Sequence, residues 1–374
     1  MSKIDQIIND LTLEEKVSLL SGFNSWYTNK IDRKGIPSIK MSDGPNGVRG
    51  DSNSGKSSAC FPCAISISSS WDLNQVKNIG VALGEEAQAK DVDVLLGPTI
   101  NIHRHPLGGR HFESFSEDPF LTGKIASSYV QGVQSQNVAA CLKHFVGNDT
   151  EFQRHSISSN IDEQTLREIY LLPFEIGVKE GNAKVVMSAY NKLNNIYCSS
   201  HQELLIEILK KEWGFDGYVV SDWGAALETE ENANGGLDLE MPGPGNVWGN
   251  ALINAIQNKR VAEDLIDDKV KRILSVAEFS KRFDRPEIKS EEAIDNPEHR
   301  KLLRKAAADG MVLLKNDGIL PLKKDIKKLA IIGPNAKEAQ IIGGGSASLR
   351  PHYQVHPMEA IQARIGSETE ILYS

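Results

Sequence analysis

The side chains able to do chemistry lie far apart in the chain: Asp43, Arg110, Lys143, His144, Arg154, Tyr190, Asp222 and Trp223. Asp43 and Asp222 are carboxylates, and Arg110, Lys143 and Arg154 are fixed or nearly fixed cations. Such a set can hold a polyhydroxylated ligand through charge-assisted hydrogen bonds. Trp223 adds an aromatic face. Asp222 stands out by position. It follows Gly217-Tyr218-Val219-Val220-Ser221 and precedes Trp223-Gly224. The pattern predicts a buried strand that delivers Asp222 at its C-terminal end. Taken alone, an Asp at a strand end is more often a helix N-cap than a reacting group. Its role therefore depends on its company. No GxxxxGK[ST] phosphate loop occurs, and no His or carboxylate set has metal-ligand spacing, so neither a metal nor an organic cofactor is expected.

The elements that must position these residues alternate between strand-like and helix-like runs. Thr12-Leu13-Glu14-Glu15 fits a capping box at a helix start. Strands are predicted at 38–41, 92–96, 138–142, 185–187 and 218–220, with 237–241 as a further short one. Helices are predicted at 73–90 with Asp72 as cap, at about 119–134, around Leu166 to Phe174, and at 204–213 and 261–279. The polar residues follow the strands immediately. This βαβα order implies a parallel sheet, and chemistry gathered on one rim is a signature of a (β/α)8-like, TIM-type barrel.

Residues 1–282 would form the barrel and the charged, proline-containing stretch 283–295 a linker. Asn296-Pro297 then starts a helix ending near Gly310, with strands at 311–314 and 328–332. Residues 296–374 are few for a free-standing α/β domain and read as the first, incomplete part of an α/β sandwich.

The chain has 374 residues and a net charge of −8. Nothing in that charge points to nucleic acid or to an acidic membrane surface. Cys60 and Cys63 have CxxC spacing but no second ligand pair, so the four cysteines are read as free thiols. No signal-like apolar run opens the chain and no segment approaches a membrane span. A cytoplasmic protein is expected on these grounds.

Several longer motifs carry a resemblance. Ser42-Asp43-Gly44-Pro45-Asn46-Gly47-Val48-Arg49, Asn101-Ile102-His103-Arg104, and Gly109-Arg110-His111-Phe112-Glu113-Ser114-Phe115-Ser116-Glu117-Asp118-Pro119 come first. Lys143-His144-Phe145, Met187-Ser188-Ala189-Tyr190-Asn191 and Val220-Ser221-Asp222-Trp223 follow in order. Together they resemble glycoside hydrolase family 3, the β-glucosidases and their relatives, over essentially the whole chain. The yeast and bacterial β-glucosidases are the members it most looks like. The resemblance implies a retaining exo-β-glycosidase that removes terminal β-D-glucosyl residues through a covalent glycosyl-Asp intermediate. It implies Asp222 as the nucleophile and Asp43 as the anchor for hydroxyls on the far side of the sugar. Arg110, Lys143, His144 and Arg154 would line the same subsite, Tyr190 would flank the nucleophile, and Trp223 would border the aglycone. Small β-glycosides or oligosaccharides are the implied partners, with a homo-oligomer of the complete protein left open. Ionised at neutral pH, the nucleophile would have its pKa held down by Arg154 and Lys143.

The acid/base of most family members is a Glu of the second domain, beyond where this chain ends, and it maps onto no residue here. Glu113 and Glu117 are expected to brace the rim through salt bridges, and Glu151 is a weaker donor candidate still. One family branch, the β-N-acetylglucosaminidases, uses an Asp-His pair on the loop after Lys-His. Here that loop runs Val146 to His155, the Asp-Ser-His order is absent, and His155 is expected to be exposed or simply packed. Gly343-Gly344-Gly345 reads as a loop over the sugar pocket or as a plain turn, and His103 and His105 as loop hydrogen-bonders. Three alternatives stay open: a truncated, non-catalytic carbohydrate-binding remnant, the acetylglucosaminidase, and a barrel lyase using Lys143 as a Schiff base.

Overall fold

The computed structural model describes residues 2–51, 55–323, 325–365 and 367–374. Met1, which heads the stretch read for a leader, lies outside them.

Five strands form one parallel sheet in sequence order: β1 (Met41–Asp43), β2 (Val94–Leu96), β3 (Ala139–Phe145), β4 (Val185–Ser188) and β5 (Tyr218–Ser221). Every residue of all five is buried. Helices cover the outer face and side chains fill the inner one, which is why these strands are continuously apolar rather than alternating. The sheet curls onward beyond β5. Val220 bridges Leu239, and Ser21 bridges Glu240, both in parallel. Antiparallel bridges from Gly22 to Thr28 and from Tyr27 to Lys40 then lead back to β1. The expected barrel is thus present, built on five laddered strands. The expected strand at 237–241 contributes isolated bridges, with Ser221 N donating to Leu239 O at 3.0 Å.

The helices start where local capping dictates. Leu73–Ala89 is capped by Asp72, which accepts from Asn74 N and Gln75 N. Pro119–Gln134 is capped by Asp118 and has proline in its first turn. Glu203–Glu212 and Glu263–Phe279 complete the outer layer.

Residues 283–295 are tied down along the barrel base. Arg282 is wholly buried, donating to Ser38 O and Asp91 Oδ1 at 2.9 Å each. Arg285 reaches the same Asp91 oxygen at 2.6 Å and Asp93 Oδ1 at 2.5 Å. Glu291 takes a bond from Lys40 Nζ at 2.7 Å, also buried.

Beyond lie the helix Pro297–Asp309, capped by Asn296, and a two-stranded parallel sheet of β6 (Lys328–Ile331) and β7 (Glu370–Tyr373). The strand expected at 311–314 is not there. Met311, Val312, Leu313 and Leu314 are 78, 62, 62 and 92% exposed. Among the described residues β6 pairs with β7 alone. With no neighbouring ladder to join, apolar β-formers remain coil. No helix of the described residues is long and apolar enough to cross a membrane.

Candidate active site

All eight expected residues line a single cavity of about 400 Å³ at the C-terminal rim of the sheet. Asp43 ends β1. The next residue, Gly44, has φ +123, and a Cβ there would lie 1.8 Å from Gly47 O, so the turn that presents Asp43 requires glycine. Asp43 Oδ1 accepts from Gly44 N at 3.0 Å and from Lys143 Nζ at 2.8 Å. Burial pushes the Asp43 pKa up, but the Lys143 charge and hydrogen bond, with Gly44 N–H and Arg110, prevail and hold it below the usual value. Burial likewise opposes the Lys143 charge, and Asp43 leads the groups that raise its pKa above the usual lysine value. Both are therefore charged at neutral pH.

Lys143 and His144 come from the last part of β3, where the register against β4 shifts between Leu142 and Phe145. An irregularity of this kind re-aims side chains at a barrel rim. His144 is 2% exposed. Burial, aided by Arg110, Lys143 and Arg154, drives its pKa well below the ordinary histidine value, so the ring is neutral.

Asp222 directly follows β5 and is 8% exposed. Its Oδ1 accepts the Trp223 N–H at 2.8 Å. Its Oδ2 is buried and has no hydrogen-bond partner among the described residues. The nearest cationic candidate for that oxygen, His144 Nε2, is 3.6 Å away and uncharged. Asp222 caps no helix, and the N-cap alternative falls away. Tyr190 packs beside it, donating to Trp223 O at 2.9 Å, and burial followed by the Asp222 charge raises the phenol pKa.

The cations are distributed differently from expectation. Arg154 is paired with Glu151, and its guanidinium stacks 4.9 Å from the Tyr190 ring centroid. Lys143 is committed to Asp43. The largest positive influence on Asp222 is Arg110, and even so burial wins and its pKa is raised. The expectation that Arg154 and Lys143 hold it down is corrected: Arg110 leads, Lys143 contributes behind it, and burial outweighs both. A carboxylate enclosed on this rim loses more hydration than distant, already paired cations return.

Glu113 braces the rim as expected: buried, paired with Arg110, and accepting from Thr99 Oγ1 at 3.1 Å. Glu117 is exposed and makes no ion pair among the described residues, so its bracing role is not realised. His155 is exposed and packs edge-on to Tyr190 at 4.3 Å, outside the cavity lining. His105 Nδ1 accepts from Leu107 N at 3.2 Å, as a loop hydrogen-bonder should.

Sequence reasoning missed part of the lining. Trp26 stands 5.5 Å from the Trp223 ring, and the Arg49 guanidinium lies 5.5 Å over Trp26. Trp223 Nε1 is held by Ser25 O at 2.9 Å. Gly343, Gly344 and Gly345, by contrast, line the cavity as the loop expected over the pocket, joined by Ser346, whose carbonyl accepts from Arg49 Nη1 at 3.2 Å. A Cβ on Gly343 would lie 2.3 Å from Phe112 Cδ1, so this loop fits over the cavity because it is bare. Arg49 was within reach, since it ends the motif that begins at Ser42. Trp26 sits in a stretch with no periodic pattern and gave no signal.

All four cysteines are free, and burial pushes the Cys60 thiol up to about 11. Among the described residues no group of three or more His, Cys, Asp or Glu side chains is arranged to hold a metal.

A curled parallel sheet with three buried carboxylates and several cations around one polar cavity defines a β/α-barrel suited to a compact, hydroxyl-rich ligand. Residues 2–276 match the glycosyl hydrolase family 3 N terminal domain and residues 311–372 the corresponding C-terminal domain. The chain belongs to glycosyl hydrolase family 3. It is 49% identical to a beta-glucosidase of Rhizobium radiobacter over 374 residues, covering 99% of this chain and 46% of that protein. It is 47% identical to beta-glucosidase B of Emericella nidulans, covering 100% of this chain and 45% of the relative. A solved beta-glucosidase from Kluyveromyces marxianus in complex with glucose superposes with a TM-score of 0.94 at 42% identity, over 99% of this chain and 46% of that one. Beta-glucosidase 3B from Thermotoga neapolitana, also with glucose, gives 0.91 at 37% identity, over 99% and 55%. The chain thus spans a little under half the length of the curated relatives it matches.

Proposed function

We propose that this chain carries the glycone site and nucleophile of a retaining exo-β-glucosidase. Asp222 Oδ2 attacks C1 of a terminal β-D-glucosyl residue, the bond from C1 to the leaving oxygen breaks, and a glycosyl-Asp222 ester forms. Water then attacks C1, the C1–Oδ2 bond breaks to restore the Asp222 carboxylate, and the water's proton returns to the group that protonated the leaving oxygen. The observation that carries this reading is the buried, unpartnered Oδ2 of Asp222 in a cavity otherwise full of paired charges. Every other carboxylate lining that cavity, on Asp43, Glu113 and Glu151, already has a cationic partner. A desolvated oxygen without a hydrogen bond is the more nucleophilic one.

The remaining residues take the roles the geometry favours. Asp43, fixed by Lys143, accepts sugar hydroxyls. Arg110, His144 and Arg154 donate to or accept from the same ring. Tyr190 holds the Asp222–Trp223 turn, and Trp223 with Trp26 forms an aromatic wall on the leaving-group side. The leaving oxygen needs a proton, and Glu113 and Glu151 are both engaged by arginines. We assign the donor to a part of the relatives' length that this chain does not span. We also divide the chain into a barrel at 1–282, a connector at 283–295 and the opening part of an α/β sandwich at 296–374. The family matches, which stop at residue 276 and resume at 311, support that division.

The test is covalent trapping. 2,4-Dinitrophenyl 2-deoxy-2-fluoro-β-D-glucoside has a leaving group that needs almost no acid assistance. Intact mass and peptide mapping should place one fluoroglucosyl group on Asp222, with none on Asp222→Asn. An adduct on another side chain, or a folded chain that binds glucose yet is never labelled, removes the catalytic reading in favour of a sugar-binding remnant.

A further inference from the structure

Asn101 belongs to the Asn101-Ile102-His103-Arg104 stretch, and its side chain meets a single residue, His144, at three points. Its Oδ1 accepts the His144 backbone N–H at 2.9 Å, and its Nδ2 donates to the His144 carbonyl at 2.9 Å. His144 Nδ1 lies 3.2 Å from the same Oδ1. The two backbone bonds leave no choice of amide orientation, because an N–H can only donate and a C=O can only accept. Oδ1 is thus an acceptor, and Nδ1 must carry the ring proton. A neutral imidazole has one N–H, so Nε2 is left with a bare lone pair.

That nitrogen lies on the Asp222 side of the ring's surroundings, with Asp222 the acid nearest to it. Nε2 and Asp222 Oδ2 are 3.6 Å apart, beyond hydrogen-bond reach, and neither atom has a proton to offer when Asp222 is ionised. The other charged and titratable groups facing the pair are Arg110, Lys143, Arg154, Asp43 and Tyr190. None gives Oδ2 a hydrogen bond in this structure.

We infer that Asn101 is a positioning residue that holds His144 in its Nδ1–H tautomer, so that Nε2 accepts from a hydroxyl of the bound glycone and cannot donate to Asp222. This deepens the reading of Asp222 as nucleophile and rests on it. With the opposite tautomer, Nε2–H would face Oδ2 across the same 3.6 Å, blunt its nucleophilicity through the N–H dipole and lose its acceptor for the sugar. The buried amide, 6% exposed, therefore acts on both substrate recognition and the attacking oxygen without touching either.

Two measurements test it. In the full chain labelled with 15N-histidine, the His144 signals are identified by their loss in His144→Gln. The pyridine-like nitrogen shift should fall on Nε2 and the pyrrole-like shift on Nδ1 at neutral pH. The reverse assignment, or a doubly protonated ring, overturns the inference whether or not any variant folds. Second, Asn101→Asp places an anion against Nδ1 and favours the imidazolium, whose positive charge then lies 3.6 Å from Asp222 Oδ2. The acid limb of Asp222 labelling by the dinitrophenyl fluoroglucoside should fall by about one pH unit or more, and glucose should protect against labelling less well. An unchanged limb with unchanged protection, in a folded variant, counts against a positioning role. Failure of the wild-type chain to label at Asp222 would instead sink the catalytic reading, while the nitrogen shifts still decide the tautomer.

Discussion

Lys143 Nζ sits 2.8 Å from Asp43 Oδ1, across 100 residues of sequence, and both groups are almost wholly removed from solvent. The lysine's charge is committed there, and it lowers the Asp222 pKa less than Arg110 does. Breaking one half of such a pair leaves the other buried and alone. Lys143→Met should lower unfolding stability by about 3–5 kcal/mol. The double variant Asp43→Asn/Lys143→Met should recover part of that loss without recovering Asp222 labelling. Urea denaturation of the single and double variants reads the stability terms. A loss below about 1 kcal/mol for Lys143→Met would mean that water screens the pair.

Asp222 has the opposite thermodynamic sign. Its pKa is raised in the folded protein, so its favourable contribution is complete below the unfolded value and lost as pH rises through the folded one. At neutral pH the ionised, half-unpaired carboxylate is a net cost. Asp222→Asn should therefore be more stable than the parent at pH 7, by on the order of 1 kcal/mol, the usual cost of an unmet buried acceptor. The difference should shrink as pH falls toward the ordinary carboxylate range. A variant that is less stable than the parent at pH 7 would show that Asp222 holds the rim together.

Glu113 works through Arg110. The pair is buried on the Glu113 side, and Arg110 is the leading counter-charge on Asp222. Glu113→Gln keeps the shape and a hydrogen-bonding oxygen for the guanidinium, so the pair loses its charge but not its contact and stability falls less than in Lys143→Met. The second-order rate of Asp222 labelling should fall by about tenfold to a hundredfold, the scale of a misplaced site group, with little change in unfolding midpoint. Equal labelling rates would reduce Glu113 to a spacer.

His299 joins the helix Pro297–Asp309 to the barrel helix Leu73–Ala89. Its Nε2 meets Glu85 Oε2 at 2.8 Å and its Nδ1 meets Glu86 Oε1 at 3.1 Å. Lys90, 3.9 Å from Glu86, and His352, 4.0 Å from it, face the same carboxylate. Burial lowers the His299 pKa, but the hydrogen bonds its ring donates to Glu86 and Glu85 outweigh it and the net shift is upward. The stabilisation is then full below the unfolded histidine pKa and disappears as pH rises through the folded value. Thermal melting between roughly pH 6 and pH 9 should show this loss in the parent and much less of it in His299→Gln. Parallel curves for the two proteins would rule out the His299 contribution.

Features governed by neighbours in sequence were legible in advance. Asp72 and Asn296 cap the helices they were read to cap, because a cap bonds backbone amides only two or three residues away. The strand cores and their residue-by-residue delivery of Asp43, Lys143, His144 and Asp222 followed from apolar runs that end in polar residues. The strand expected at 311–314 failed because β-propensity has no effect without a partner ladder. Trp26 was unreadable for a related reason: nothing local marks a side chain whose significance is the ring it stands against.

What the amino-acid order determined by itself was the barrel class and the membership of the rim, since a strand's end and the residue beyond it are set by local pattern. Tertiary structure alone decided who pairs with whom across the rim. It gave Lys143 to Asp43 across 100 residues and left one oxygen of Asp222 with no partner among the described residues. Arg154–Glu151 and Arg110–Glu113, by contrast, join residues three apart and depend on local loop conformation. The physical reason is range: a hydrogen bond reaches about 3 Å, and which loops come that close is fixed only when the sheet has curled.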